Sequence, residues 1–277
     1  MAMREILVAI QDADSVPQLV APAAALAQAT GARLTGLFAS GYPIESAYGD
    51  VAGWMQLVDA FLEAQRAIAS AAEAAFRQEL GNRQLAGDWL YREGNATDST
   101  TNLAALYDLV VLGQPDPDAE PGGALGLRVP EVVLGSGRPV LVIPYAGTFP
   151  EVGKRVLVAW NASREASRAL HDAMFALEQA EAVTIIEVEP LSAAGVAPVR
   201  AADVAEALVR RGIKATAETE TGGDIAVGEL LLSRAADLSA DLLVMGAWGH
   251  SRLREYVLGG VSRGIFQDMT LPVLTAH

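Results

Sequence analysis

The second half of this chain rewrites its first, and that repeat limits the fold more than any other feature. Ile6-Leu7-Val8-Ala9 returns as Val156-Leu157-Val158-Ala159, 150 residues later. Asp108-Leu109-Val110-Val111-Leu112-Gly113 returns as Asp241-Leu242-Leu243-Val244-Met245-Gly246, and Pro139-Val140-Leu141 as Pro272-Val273-Leu274. From the glycine to the proline both halves count 26 residues. Matching order with matching spacing identifies two copies of one unit. A length of 277 residues holds two domains of ordinary size. The division is 1–146 and 154–277, with a Pro- and Gly-bearing linker from Tyr145 to Gly153.

Within each copy, short apolar runs alternate with segments of helical period. In the first, strands are predicted at Ile6 to Ala9, Arg33 to Ala39, Leu85 to Tyr91, Asp108 to Gly113 and Arg138 to Pro144. Helices are predicted at Gln18 to Thr30, from Val51 or Ala52 to Leu80, at Asn95 to Leu106 and at Pro130 to Ser136. Ser40 to Gly53 is an irregular loop, a lid or a partner surface. The second copy reads as strands at Arg155 to Trp160, Val183 to Glu189, Ile213 to Glu220, Leu242 to Met245 and Val273 to Ala276. Its helices fall at Ser163 to Leu177, Ala201 to Arg211, Asp224 (as N-cap) to Ala236 and Val261 to Met269. Near-continuous apolar strands between helices mean a parallel sheet covered on both faces, an α/β architecture that right-handed crossovers make doubly wound.

Composition narrows the function. A formal charge of −14 opposes binding to nucleic acid or to an anionic membrane. There is no cysteine, and the three histidines, His171, His250 and His277, are scattered singly, so thiolate chemistry and a histidine metal cluster are disfavoured. No apolar run reaches membrane-spanning length, and the N-terminus lacks the zones of a signal peptide, so a cytoplasmic protein is expected. Walker A, dinucleotide-fingerprint and Gly-x-Ser-x-Gly patterns do not occur, and no other catalytic constellation is visible.

One segment does point to a ligand. The strand ending in Met245 runs into Gly246, with Gly249 three positions on and the Gly259-Gly260 pair ten beyond that, followed by Val261 and Ser262 at the start of a helix. Residues without side chains let the backbone turn tightly and approach a ligand, and unpaired N–H groups at the helix start favour an anion. A single such glycine is as readily a plain turn; the combination points to the phosphates of a nucleotide seated against Gly249 and Gly259 to Ser262. Ligands of open parallel sheets bind at the carboxyl ends of strands where strand order reverses.

The pattern Gly246-x2-Gly249-x9-Gly259, after an apolar strand and before a helix and a Pro-Val-Leu strand, resembles the ATP-binding signature of the universal stress protein superfamily. The resemblance covers the whole chain and is to the tandem members. It implies two Rossmann-like domains of the adenine nucleotide alpha hydrolase-like kind, each with a five-stranded parallel sheet, paired through their last strands. It implies ATP as ligand of the C-terminal domain; a Mg²⁺ accompanying it can be held mainly by the phosphates themselves. By similarity, Met245, Gly246, Gly249, Gly259, Val261 and Ser262 line the nucleotide, and Gly260 between them is a further candidate through its backbone. Ala159, Trp160 and Asn161 fall where the family contacts adenine and ribose, and Val188 where it packs on the base. His250 is a further phosphate candidate, set against an exposed loop histidine. Two residues depart from the family pattern: Gly260 replaces a serine or threonine, and Asn161 an acidic residue.

In the first half Gly113 and Gly126 match Gly246 and Gly259, but Asp116 stands in place of Gly249 within Gln114-Pro115-Asp116-Pro117-Asp118-Ala119-Glu120. Three carboxylates repel a triphosphate and two prolines remove donors, so this site reads as lost. A solvated acidic loop is the plainer reading of these acids than a Mg²⁺ or Ca²⁺ site. Arg252, Arg254 and Arg263 flank the second site and either face phosphate or pair with surface acids. Trp160 and Trp248 either stack on adenine or belong to the core; His171 is read as structural. The expected protein binds ATP in its second half and acts as a stress-response regulator, pairing its domains within the chain, with a homodimer and an unidentified regulatory protein as further partners. A nucleotide-free interaction scaffold and a slow ATP-hydrolysing or adenylyl-transferring enzyme stay open as rivals.

Overall fold

The structure, a computed structural model, describes residues 3–41, 51–115, 126–189, 198–221, 225–247 and 260–277. The first half holds strands β1 (Glu5–Ala9), β2 (Arg33–Ser40), β3 (Gly87–Glu93), β4 (Leu109–Gly113) and β5 (Val140–Ile143). Its helices are α1 (Val16–Thr30), α2 (Val51–Asn82), α3 (Ala96–Leu103), which runs on into a 3₁₀ turn (Ala104–Leu106), and α4 (Val129–Gly135). The second half holds β6 (Arg155–Trp160), β7 (Ala182–Glu189), β8 (Ala215–Thr221), β9 (Leu242–Gly246) and β10 (Val273–Ala276). Its helices are α5 (Arg164–Asp172), α6 (Met174–Leu177), α7 (Ala201–Val209), α8 (Val227–Asp237) and α9 (Gly260–Asp268).

Among the described residues ten strands form one sheet in the order β3-β2-β1-β4-β5-β10-β9-β6-β7-β8. Each half is parallel within itself, and the halves join where β10 runs antiparallel to β5, with Val273 opposite Val142, Leu274 opposite Leu141 and Thr275 opposite Val140. The apolar runs of the sequence become the central strands, buried on both faces, while the outermost strands alternate and carry charge. One face of the sheet is covered by α1, α2, α5, α6 and α7. The other is covered by α4, α8 and α9, with α3 on a satellite cluster around Leu7 and Leu37. Each fully buried Leu, Ile or Val adds roughly 1.5–3 kcal/mol, so a double layer of this kind holds the sheet from both sides.

The echoed aspartates close the amino ends of the strands. Asp108 accepts the N–H groups of Arg4 and Glu5 at 2.7 and 3.1 Å, just before β1 and at its start. Asp241 accepts those of Gly153, Lys154 and Arg155, each at 3.0 Å, at the start of β6. In both halves the acid preceding the fourth strand thus organises the backbone beginning the first, which accounts for its place in the repeat.

Three local expectations differ from the structure. The predicted helix from Ser163 to Leu177 breaks at Ala173 into α5 and α6, where Ala173 ends one helix and begins the other. Ser163 stands just outside α5 as its N-cap, with its hydroxyl accepting from the Ala166 N–H at 3.0 Å. Helix α8 starts at Val227 with Ala226 at the N-cap and no side-chain cap; Asp224, expected to cap it, lies outside the described residues.

Candidate functional site

The chain leaves β6 toward β7 and leaves β9 toward β10, in opposite directions along the sheet, and β6 and β9 are neighbours. Their carboxyl ends therefore flank the point where strand order reverses in the second half. Ala159 on β6 and Met245 on β9 are register partners there, and Ala159 pairs on its other side with Ile186 of β7. Two residues further up β7, on the same side as Ile186 by strand alternation, is Val188. Ala159 and Val188 are half-buried and Met245 is buried, so small apolar side chains line this end of the sheet.

Trp160 points the other way. Its ring is 7% exposed, sits in the core cluster of the α5 face, and donates its indole N–H to the Val199 carbonyl at 2.8 Å. The ring belongs to the core, which leaves the main chain of this residue for any ligand. Asn161 is exposed, and its carboxamide accepts the Ser163 N–H at 3.1 Å. That bond closes a turn in which Ala162 takes a left-handed conformation, φ 57°, at a cost of about 1–2 kcal/mol for a residue with a β-carbon.

Gly246 shows the closest backbone approach in the region. A β-carbon there would lie 2.4 Å from the Ala166 nitrogen and 2.5 Å from the Glu165 carbonyl carbon, so the first turn of α5 rests directly on the end of β9. Glu165 at this contact is buried and pairs with Arg164 at 3.1 Å. Beyond Gly246, Ala247 is buried, and its N–H donates to the Ala276 carbonyl at 2.9 Å. At the start of α9, Gly260 is exposed, Val261 is 37% exposed and Ser262 is buried. Gly260, Val261 and Gly264 form one wall of a cleft of about 300 Å³ whose other wall is Val227, Gly228 and Leu232 of α8. Gly249, His250 and Gly259 lie outside the described residues, as do Trp248, Arg252, Arg254 and the first-half acids from Asp116 to Glu120. Arg263 is exposed on α9, and His171 is exposed with its ring bonded to the Ser167 carbonyl of its own helix at 2.8 Å.

A buried ionic group beside this end of the sheet did not figure among the sequence candidates. Glu187, the register partner of Trp160, is 1% exposed. Its carboxylate accepts from the Arg200 guanidinium at 2.6 Å, from the Ala201 N–H at 2.8 Å and from the Thr219 hydroxyl at 3.3 Å. Burial alone would push the Glu187 carboxyl up. The Ala201 N–H, the Arg200 guanidinium and the Thr219 hydroxyl outweigh it and hold the group below the usual carboxylate range. Together with the Trp160–Val199 bond, these contacts fasten the chain leading into α7 across the ends of β6 and β7. The signal in the sequence was a lone acid inside the apolar run Ile185-Ile186-Glu187-Val188, a placement that needs partners.

Among the described residues no group of three or more His, Asp or Glu side chains could hold a metal ion, and no helix is long and apolar enough to cross a membrane. Residues 153–277 match the family model described as the Universal stress protein family. Universal stress protein Slr1230 of Synechocystis sp. is 26% identical over 190 residues, 67% of this chain, and the chain spans 63% of that relative's length. Over 100% of its length the chain is similar to the crystal structure of a universal stress protein from Archaeoglobus fulgidus, covering 99% of it with a TM-score of 0.68 at 19% identity. It is similar over 99% of its length to the functionally unknown protein PA1789 from Pseudomonas aeruginosa, covering 92% of that chain with a TM-score of 0.57 at 18% identity. At these identities the two structural likenesses are of fold.

Proposed function

We propose, from the match of residues 153–277 to the Universal stress protein family model, that this chain binds ATP in its second half and works as a regulator in the stress response. The domain division we infer is 1–146, with a lost site, and 154–277, with a working one. The observation that carries the reading is the position of Ala159, Met245, Gly246 and Val188 around the carboxyl ends of β6, β9 and β7, where strand order reverses.

The residues present fit such a ligand. Half-buried Ala159 and Val188 offer apolar side chains for an adenine to pack on, while the exposed Asn161 and the main chain of Trp160 supply polar groups beside it. The N-terminal end of α9 favours negative charge, and Gly260 adds no side chain there. In a protein of net charge −14 the attraction for phosphate has to be local, from these dipoles and from Arg263 with Arg252 and Arg254 of the preceding segment. Mg²⁺ would arrive with the phosphates. Among the described residues no general base is identified at this site, and the function we infer is nucleotide-dependent partner choice or conformation, with slow hydrolysis as the rival reading.

The test is to denature the purified protein, identify released nucleotide by mass, and titrate ATP calorimetrically. Gly249→Asp, which copies the acid the first half carries at Asp116, is expected to abolish binding while the protein stays folded. Wild-type affinity in that variant would refute the phosphate placement. No released nucleotide and no heat in the wild type would favour the interaction scaffold.

A further inference from the structure

The two halves are not alike at the first position beyond their glycine strands. Gln114 follows Gly113 as Ala247 follows Gly246, and the two backbones do the same thing: the Gln114 N–H donates to the Ile143 carbonyl at 2.7 Å, and the Ala247 N–H to the Ala276 carbonyl at 2.9 Å. The side chains differ. Ala247 has nothing to reach with, whereas the Gln114 carboxamide, 6% exposed, crosses to the other half. Its amide nitrogen donates to the carbonyls of Phe266 and Gln267, both at 3.0 Å, and its oxygen accepts the Tyr145 N–H at 3.1 Å. Reversing the amide would set N–H against N–H, so the orientation is fixed by its partners.

Phe266 and Gln267 are in the last turn of α9, where backbone carbonyls lack partners within the helix. This helix needs outside support. It is nine residues long and includes Gly260 and Gly264, each with open space where a β-carbon would be. Short glycine-bearing helices do not hold themselves. Its N-terminal turns are steadied by α8, whose Gly228 would bring a β-carbon to 3.4 Å from the Val261 carbonyl oxygen. Its C-terminal turn is held from across the domain joint by Gln114.

We propose that Gln114 is a positioning residue for the nucleotide site of the opposite half. The first half, which has lost its own phosphate seat, uses the residue at the start of that lost loop to hold α9, whose far end is the seat in the second half. The inference rests on the ATP reading above. A phosphate bound at the N-terminus of α9 requires the helix formed, and so do the two Gln114 bonds, so each favours the other through the order of one helix.

The experiment compares Gln114→Met, similar in shape but without donors, with the wild type. ATP affinity is read by calorimetry well below the melting temperature, and exchange of the α9 amides and of the Gln114 side-chain amide by NMR. The variant is expected to bind ATP about fivefold to tenfold more weakly, the lower range for coupling between sites, and to exchange its α9 amides faster without ligand. In the wild type, ATP is expected to slow exchange of the Gln114 side-chain amide. A residue that only stabilised the joint would lower the melting temperature and leave the affinity alone. Affinity within twofold of wild type, or a Gln114 amide indifferent to ATP in the wild-type protein, overturns the coupling. A wild type that binds no ATP overturns the nucleotide reading and the coupling with it.

Discussion

The contact between Gly246 and α5 is the sharpest steric statement in the second half, and Gly246→Ala tests it. The added methyl would lie 2.4 Å from the Ala166 nitrogen, 2.5 Å from the Glu165 carbonyl carbon and 2.9 Å from its β-carbon, against ordinary contact beginning near 3.4 Å. Two of these three atoms are backbone, so no rotamer relieves the clash; α5 has to lift by about 1 Å. The helix is pressed onto the sheet by Ala166 and Ala169, both buried, and anchored at Ser163. A gap of 0.5–1 Å forfeits about a quarter to a half of each dispersion contact along that face. Overpacking of this kind costs about 1–3 kcal/mol, and a clash against backbone belongs at the upper end. Gly264→Ala is the control: on α9 a β-carbon there meets nothing within 4 Å, and replacing a mid-helix glycine should stabilise by about 0.5–1 kcal/mol. Urea unfolding of the two variants and the parent gives the comparison. A Gly246→Ala protein within about 0.5 kcal/mol of the parent, or a Gly264→Ala protein that loses stability, would refute the steric argument.

The buried acid and the echoed aspartates give two further tests. Glu187 has its folded-state pKa held below its unfolded value, so its contribution is present above the unfolded pKa of about 4.3 and is lost as pH falls through the folded value. Glu187→Gln should therefore cost about 1–2 kcal/mol at pH 7, discounted for a partner guanidinium that is partly solvent-exposed, with the difference from wild type shrinking below about pH 4. A difference that stays constant from neutral to acid pH in urea titrations would contradict this. Asp241→Ala removes acceptors from three backbone N–H groups and Asp108→Ala from two, so the first should destabilise more, by about 2–3 kcal/mol against about 1–2. Thermal melts ranking them the other way would count against the role assigned to these acids.

Much of this architecture was legible because parallel strands buried on both faces leave an unmistakable trace of aliphatic runs. Arg155–Trp160 and Val273–Ala276 match their predicted bounds, and the long helix predicted from Val51 or Ala52 occurs as α2, Val51–Asn82. The pairing of the halves through last strands was implied by the family resemblance, and β5 and β10 do pair. What stayed hidden depends on contacts between residues distant in sequence. Nothing local marks Ala173 as a break, since alanine is a strong helix former, yet it ends α5 and begins α6. Gln114 was read as part of an acidic loop because its partners lie 152 and 153 residues away. Trp160 has two readings in the sequence, and its burial together with the bond to the Val199 carbonyl places its ring in the core. Gly246 was noted as a residue that lets the backbone come near something; the structure puts the first turn of α5 there.

Joining β5 to β10 has a consequence for how copies of this protein can meet. A half released from the other would carry an open row of hydrogen-bonding groups along Val140–Val142 or Val273–Thr275, ready to take a strand from any similar molecule. In the whole chain each row satisfies the other, and the sheet ends instead at β3 and β8, guarded by Asp88, Arg92, Glu218 and Glu220. The main-chain groups at the joint are thereby spent within the chain, and strand addition there is closed to any other molecule.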